Sequence, residues 1–461
     1  MTSQSEPLRF AAFVMNTTSH ITQGPWRHPD SRDTDFNRLD SWVELAQLLE
    51  RGRFDAIFFA DVIGLYGDYR GDYRKYLEAG LQLPSNDPSV LMSGLALSTE
   101  HLGLAFTSSI VQEHPFNFAR RLSTLDHVTD GRVAWNIVTS HLENSFRNFG
   151  FDDIVAHDER YEWAQEYLEV TYKLWEGSWD DGALLQDRAR GIHADFERVH
   201  KINHRGERYR VEGPHLVAPS PQRTPLLFQA GSSPAGRDFA ARNAEGVFIV
   251  AFSPAAARAQ IDDTRERAES YGRDPAALKF FAGLSFVIGS TEEEAIRKAA
   301  ELDEQIDLDA HLAHLSGGLG VDLGHLDFDE PVGDIDNVET VRSLIPALRA
   351  HYGDRAITVG DLARWTTEGT RIVGTPEQIA VELEQWREAG LGGVNVINAT
   401  RPGSYVDFIE HLTPLLQARG LQQREYTPGT LRRKLFGSDL LPDSHPGARY
   451  RGAFAGQPEV A

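Results

Sequence analysis

The chain has 461 residues, 41% hydrophobic and 25% charged, a balance that suits a soluble globular protein able to bury a sizeable core. Its 68 acidic against 46 basic residues leave a formal net charge of −22, which argues against nucleic acid or an anionic membrane as partner. The absence of cysteine removes disulfides, thiolate nucleophiles and cysteine-bound metals, and with neither a signal-type N-terminus nor a long apolar run, the cytoplasm is the expected location.

Residues 8–14 predict a buried strand, followed by a loop through residue 35 that is longer than a usual βα connection. That loop carries His20 and His28, whose titration near neutral pH suits a proton donor or a substrate contact. Leu39, Trp42, Val43, Leu45, Ala46 and Leu49 predict a helix over 35–51, closed by Gly52. Residues 54–60 (FDAIFFA) predict the second strand, with Asp61 at its carboxyl end, and an aromatic, Gly-rich insertion follows at 62–86.

After helical spacing over 88–99, residues 101–140 form a strand, helix, strand unit. Its strands end in Thr107, Ser108 and Ser109 and in Asn136, Thr139 and Ser140. Residues 157–175 predict a long amphipathic helix in which His157 and Tyr161, four apart, share a face. A polar insertion with a possible hairpin spans about 180–215.

Strands are predicted again at 225–230, 246–251, 278–288 and 393–398, and helices at 234–243, 254–271, 291–315, 377–389 and 404–419. A Gly- and Asp-rich segment with two short helices interrupts this rhythm at about 316–370. Eight strands alternating with helices predict a single (β/α)8 TIM barrel over 1–420, with a doubly wound sheet as competitor. The tail, 421–461, reads as an extended arm with no barrel role, packing on a neighbouring surface or subunit.

A barrel works from the carboxyl ends of its strands, so Asp61, Thr107, Asn136, Gln229 and Ser232 are the polar residues to follow. Each could instead cap a helix or satisfy backbone groups. Ala230-Gly231-Ser232-Ser233-Pro234 combines a glycine, two hydroxyls and a proline at the first helical position, a pattern that suits a phosphate or an ordinary helix cap. The 17 histidines form no HExxH or similar set, so no metal site is expected. No GxGxxG follows a strand, and no second barrel-end carboxylate supports a glycosidase.

Four stretches resemble one family when taken in order: ARRLSTLDHVTDGRVAWNIVTS at 119–140, HDERYEWAQEYLE at 157–169, SPQRTPLLFQAGSSPAGRDFAARNAEGVF at 220–248 and VGTPEQIA at 373–380. They look like the flavin-dependent monooxygenases of the nitrilotriacetate and dibenzothiophene-sulfone type, a branch of the bacterial luciferase-like superfamily. The resemblance implies a luciferase-like barrel and a two-component enzyme. Reduced FMN would come from a separate NAD(P)H:flavin reductase, and with O2 as co-substrate would oxygenate a small organic molecule through a flavin peroxide.

It further implies that Ser232 or Ser233 holds the FMN phosphate, that His157 and Tyr161 contact FMN, and that Asp61 and Thr107 lie near the flavin ring. Asn136 would face the ring edge. The WRH match places His28 near the site, with His20 on the same loop, and a homo-oligomer is the family expectation. The insertions at 62–86 and 316–370 would be lids. Tyr66, Tyr69, Tyr73 and Tyr76 favour an aromatic, sulfur- or nitrogen-containing substrate, while Arg70, Arg74 and Lys75 leave an anionic chelate open. The rival readings are a deazaflavin (F420)-dependent oxidoreductase on the same fold, a non-catalytic flavin-binding protein and a barrel enzyme without flavin.

Overall fold

In the computed structural model, which describes residues 6–67, 69–332, 348, 349, 351–353 and 355–456, the apolar runs become strands buried on both faces. They are β1 (Arg9–Met15), β2 (Ala56–Ala60), β3 (Gly103–Ser109) and β4 (Val133–Val138). The polar insertion then forms two small antiparallel ladders, β5 (Leu184–Asp187) with β6 (Ile192–Ala194) and β7 (His204–Arg205) with β8 (Arg210–Val211). The barrel resumes with β9 (Leu226–Gln229), β10 (Gly246–Ile249) and β11 (Lys279–Ile288), and β13 (Gly393–Ile397) completes it after β12 (Arg371–Gly374).

Among the described residues, eight of the nine parallel strands close into a ring, sealed by the pairing of β10 with β11 and of β13 with β1. The predicted (β/α)8 barrel is therefore the fold. Side chains alternate as the pleat requires. Ala11, Phe13, Ala56, Phe58, Ala105, Ala134 and Phe228 pack inside the ring, whereas Phe10, Ile57, Phe59, Leu104, Trp135 and Val396 face the helices.

Three elements differ from the sequence expectation. β12 is a ninth strand outside the ring, paired with the far half of the ten-residue β11; at four residues, with Val373 exposed, it carries no alternation to read. The helix expected over 291–315 is two helices, Glu292–Asp303 and Leu308–Leu319. Asp307 divides them: its carboxylate accepts the Ala310 N–H, while its own N–H donates to the Gln23 carbonyl.

The tail, third, does have a barrel role. Its helix Leu431–Phe436 plugs the amino end of the ring, with Leu431 and Leu435 in the interior cluster and the Leu431 N–H bonded to the Gly131 carbonyl. Arg432 is fully buried and grips Glu245 through two bonds of 2.6 and 2.9 Å. Removing one partner of such a pair strands the other, so Arg432→Met is expected to cost about 3–5 kcal/mol in a denaturation curve. Adding Glu245→Leu should recover most of that loss.

Opposite the plug, the segment 62–86 and the helices Leu308–Leu319 and Val359–Glu368 form a roof around Tyr66, Tyr76, Leu142 and Ala313. Lys75 and Arg70 tie it down at 2.9 Å from Asp307 and Asp309, and Tyr76 Oη donates to the Ala313 carbonyl at 2.8 Å. Part of the stretch between those two helices, 333–347 together with 350 and 354, lies outside the described residues. No described helix is long and apolar enough to cross a membrane.

Candidate active site

The ends of β2, β3, β4 and β9 and the helix His157–Tyr172 enclose a pocket of about 240 Å³ beneath the roof. Asp61, Thr107, His157 and Tyr161 line it, as do Gln229, Gly231 and the sharp turn after β4, where Ser140 takes a left-handed backbone (φ +59°). Asn136 lies one layer below. Its Nδ2 donates to Thr107 Oγ1 at 2.9 Å, Thr107 Oγ1 donates to the Phe59 carbonyl at 2.9 Å, and Asn136 Oδ1 is left buried without a partner.

Asp61 is desolvated and faces Asp87, and the two effects push its carboxyl up to about 8, so it carries a proton at neutral pH. Tyr161 is raised by burial, with Ser233, Thr139 and Gln229 around its hydroxyl. Beside it two glycines make a cradle. A Cβ on Gly231 would fall 2.7 Å from Gly236 Cα and 2.9 Å from Tyr161 Oη, and a Cβ on Gly236 would meet the same hydroxyl at 2.8 Å. Ser233 caps the helix Pro234–Asn243, accepting the Gly236 N–H at 3.1 Å, whereas Ser232 is exposed at the lip. Neither serine belongs to the pocket wall itself.

His157 sits half-exposed at the edge, 2.6 Å from Asp158 and 5.3 Å ring to ring from Tyr161. His20 packs 4.7 Å from the Phe13 ring in a second, smaller cavity. Burial, then His314, lowers it to about 3. His28 is not brought to either cavity; its Nδ1 accepts the Asp30 N–H at 3.2 Å on the outer loop.

Sequence reasoning missed Arg160, His141, His314 and Gln82. Arg160 and His141 line the pocket. Gln82 joins the roof histidines, its Nε2 lying 3.2 Å from His314 Nε2 and 3.4 Å from the His20 carbonyl, while its Oε1 accepts from Tyr66 at 3.2 Å. Tyr66 in turn lies 5.9 Å from His314 and 6.1 Å from His141. Burial depresses all three imidazoles, His314 to about 4, and Arg160 adds to the effect on His141, so the set is neutral at pH 7. Two signals were available: Arg160 stands inside HDERY, and His141 stands just past the turn that ends β4. Gln82 and His314 reach the site only through tertiary packing of the 62–86 insertion against the Leu308–Leu319 helix.

Among the described residues no cluster of histidine and carboxylate side chains is placed to hold a metal. A flavin mononucleotide, by contrast, fits the donor set: a glycine cradle at a helix N-terminus for a phosphate, and unpartnered buried atoms on Gln229 and Arg160 in the wall for its polar groups. Ile63, Val138 and Leu142 line an apolar slot for a ring.

Residues 9–392 match the family described as luciferase-like monooxygenase. The chain belongs to that family. It is a flavin-dependent monooxygenase, and its relatives span the same length. The long-chain alkane monooxygenase of Geobacillus thermodenitrificans is 44% identical over 97% of this luciferase-like monooxygenase and 98% of its own chain. The dimethyl-sulfide monooxygenase of Hyphomicrobium sulfonivorans is also 44% identical, over 98% and 95%; the crystal structure of DmoA from that organism superimposes with a TM-score of 0.93, covering 99% of this chain and 98% of its own. A riboflavin lyase, solved with a modified FMN and riboflavin, shares 37% identity at a TM-score of 0.87, over 97% and 100%. The resemblance drawn from the four motifs holds: nitrilotriacetate monooxygenase component A of Aminobacter aminovorans and a dibenzothiophene-sulfone monooxygenase of Rhodococcus erythropolis are 35% and 36% identical, over 90% and 93% of this chain and 93% and 96% of theirs.

Proposed function

We propose that this enzyme takes reduced FMN from a separate NAD(P)H:flavin reductase and transfers one atom of O2 to a small, uncharged organic substrate held between the flavin pocket and the roof. Reduced flavin supplies two electrons, so that one oxygen atom enters the substrate and the other leaves as water. FMN is favoured by the cradle between Gly231, Gly236 and Tyr161, and a separate reductase by the relative whose name is component A of its system.

The observation that carries the substrate class is the fate of the cations in the 62–86 insertion. Arg70 and Lys75 are bound by Asp309 and Asp307, and Arg74 lies on the outside beside Asp72. Two of the three cations of this insertion are thus held by the roof and the third faces outward, so none of them is left to grip an anionic chelate. Of the four tyrosines, Tyr69 and Tyr76 commit their hydroxyls to Asp309 and Ala313, and Tyr73 is 51% exposed. Tyr66 alone of the four faces the histidines, which are themselves uncharged.

In this arrangement Asp61, holding its proton, donates to a polar edge of the ring, and Thr107 with Asn136 supports it from below. His141 lines the reacting region as a neutral imidazole able to accept and return a proton. Tyr66, Leu142 and the Leu308–Leu319 helix keep water out, which protects a reduced flavin meeting oxygen from wasteful formation of hydrogen peroxide.

With a flavin reductase, FMN, NADH and O2 supplied, dimethyl sulfide or a linear alkane should give oxygenated product and nitrilotriacetate should give none. Turnover of nitrilotriacetate with rejection of both neutral compounds would overturn the substrate class. Equal hydrogen peroxide output with and without every substrate would count against the monooxygenase reading of the pocket.

A further inference from the structure

The helix His157–Tyr172 turns one more group toward the pocket. Arg160 is 7% exposed, lines the wall beside Tyr161 and Gly231, and has no hydrogen-bond partner for Nε or Nη1. Two other buried arginines are matched from within: Arg432 has Glu245, and Arg132 has the carbonyls of Ala96, Leu102 and Thr129.

A guanidinium keeps its charge where lysine would shed a proton, and a buried charge without a partner is costly. A counter-charge for Arg160 therefore has to arrive with a ligand. A second observation lies at the same pocket: the capped N-terminus of the ten-residue helix Pro234–Asn243 and the glycine cradle against Tyr161.

We propose that Arg160 is the charged contact for the phosphate monoester of the flavin, completing an anion site with the Tyr161 hydroxyl and that helix N-terminus. The proposal rests on the reading of the pocket as a flavin site. It assigns the free cation of the wall to the cofactor rather than to the substrate, in keeping with a neutral substrate. Two other sources of negative charge, the reduced ring and a substrate carboxylate, are outcomes of the test.

The test uses the full chain with Arg160→Gln and Arg160→Lys. Anaerobic titrations would compare dithionite-reduced FMN with reduced riboflavin, which has the ring but no phosphate, and 31P line broadening would follow inorganic phosphate. The wild type should prefer FMN to riboflavin. Arg160→Gln should weaken FMN about ten- to hundredfold while leaving riboflavin unchanged, Arg160→Lys should recover part of the loss, and phosphate broadening should vanish in the Gln variant. The Gln variant should also melt no lower than the wild type, because an unpaired buried charge is gone.

Equal weakening of FMN and riboflavin would overturn the proposal in favour of the ring, and no change in either would assign the guanidinium elsewhere. Should the wild type bind neither flavin, the flavin reading fails on its own, and phosphate decides the anion site: broadening lost with Arg160→Gln sustains it, and none in the wild type overturns it.

Discussion

His141→Ala should lower turnover by about 10²- to 10⁴-fold while leaving the affinity for reduced FMN within about threefold of the wild type. His141 follows β4 at the left-handed Ser140 turn and lines the pocket 6.1 Å from the Tyr66 ring. Burial and the neighbouring Arg160 hold its imidazole below the usual histidine range, so at pH 7 it is free to take a proton. Loss of this group should divert oxygen to hydrogen peroxide, which a peroxide assay alongside product yield detects. A parallel collapse of flavin affinity and turnover would reduce His141 to part of the wall.

Asp61→Asn should stabilise the apoprotein and remove a pH dependence. The folded carboxyl keeps its proton up to about 8, while the unfolded one ionises near 3.8. A folded-state pKa raised in this way contributes stability that is fully present below 3.8 and lost as the pH rises through 8. Each pH unit between those values costs about 1.4 kcal/mol, on the order of 4 kcal/mol at neutral pH as an upper bound, since the group borders an open pocket. Denaturation curves at acidic, neutral and alkaline pH should show the Asn variant gaining on the wild type up to about pH 8 and then running level. Reduced-FMN affinity of the wild type should fall above pH 8 and that of the Asn variant should not. A pH-independent difference would contradict the protonated state.

What the sequence displayed was the part of this molecule built from local pattern. All eight ring strands are legible because each is a short apolar run buried on both faces, and the polar residues at their ends, Asp61, Thr107 and Gln229, line the pocket for the same reason. Tyr161 is legible through helical spacing, and Arg160 stands next to it on a different face, which a search for i, i+4 pairs passes over. His28 illustrates the reverse error: a histidine on a long loop is no guide to where the loop folds, and here it faces outward.

The roof was the least legible. Gln82 and His314 meet across 232 residues of sequence, and no local pattern marks the pairing of Lys75 with Asp307 that holds their segments together. The tail misled for a compositional reason. Its Pro-, Gly- and Arg-rich sequence conceals one short helix, and only the complementarity of Arg432 to Glu245 and of Leu431 to the ring interior shows where that helix belongs.

The central claim is a pocket that binds reduced FMN and directs one oxygen atom to a neutral substrate. The most direct measurement is a single turnover: anaerobic enzyme loaded with photoreduced FMN and dimethyl sulfide, mixed with 18O2, with the product analysed by mass spectrometry. The account predicts one labelled oxygen atom per product molecule and little peroxide. Absence of flavin binding, or unlabelled product with the oxygen recovered as hydrogen peroxide, would contradict it.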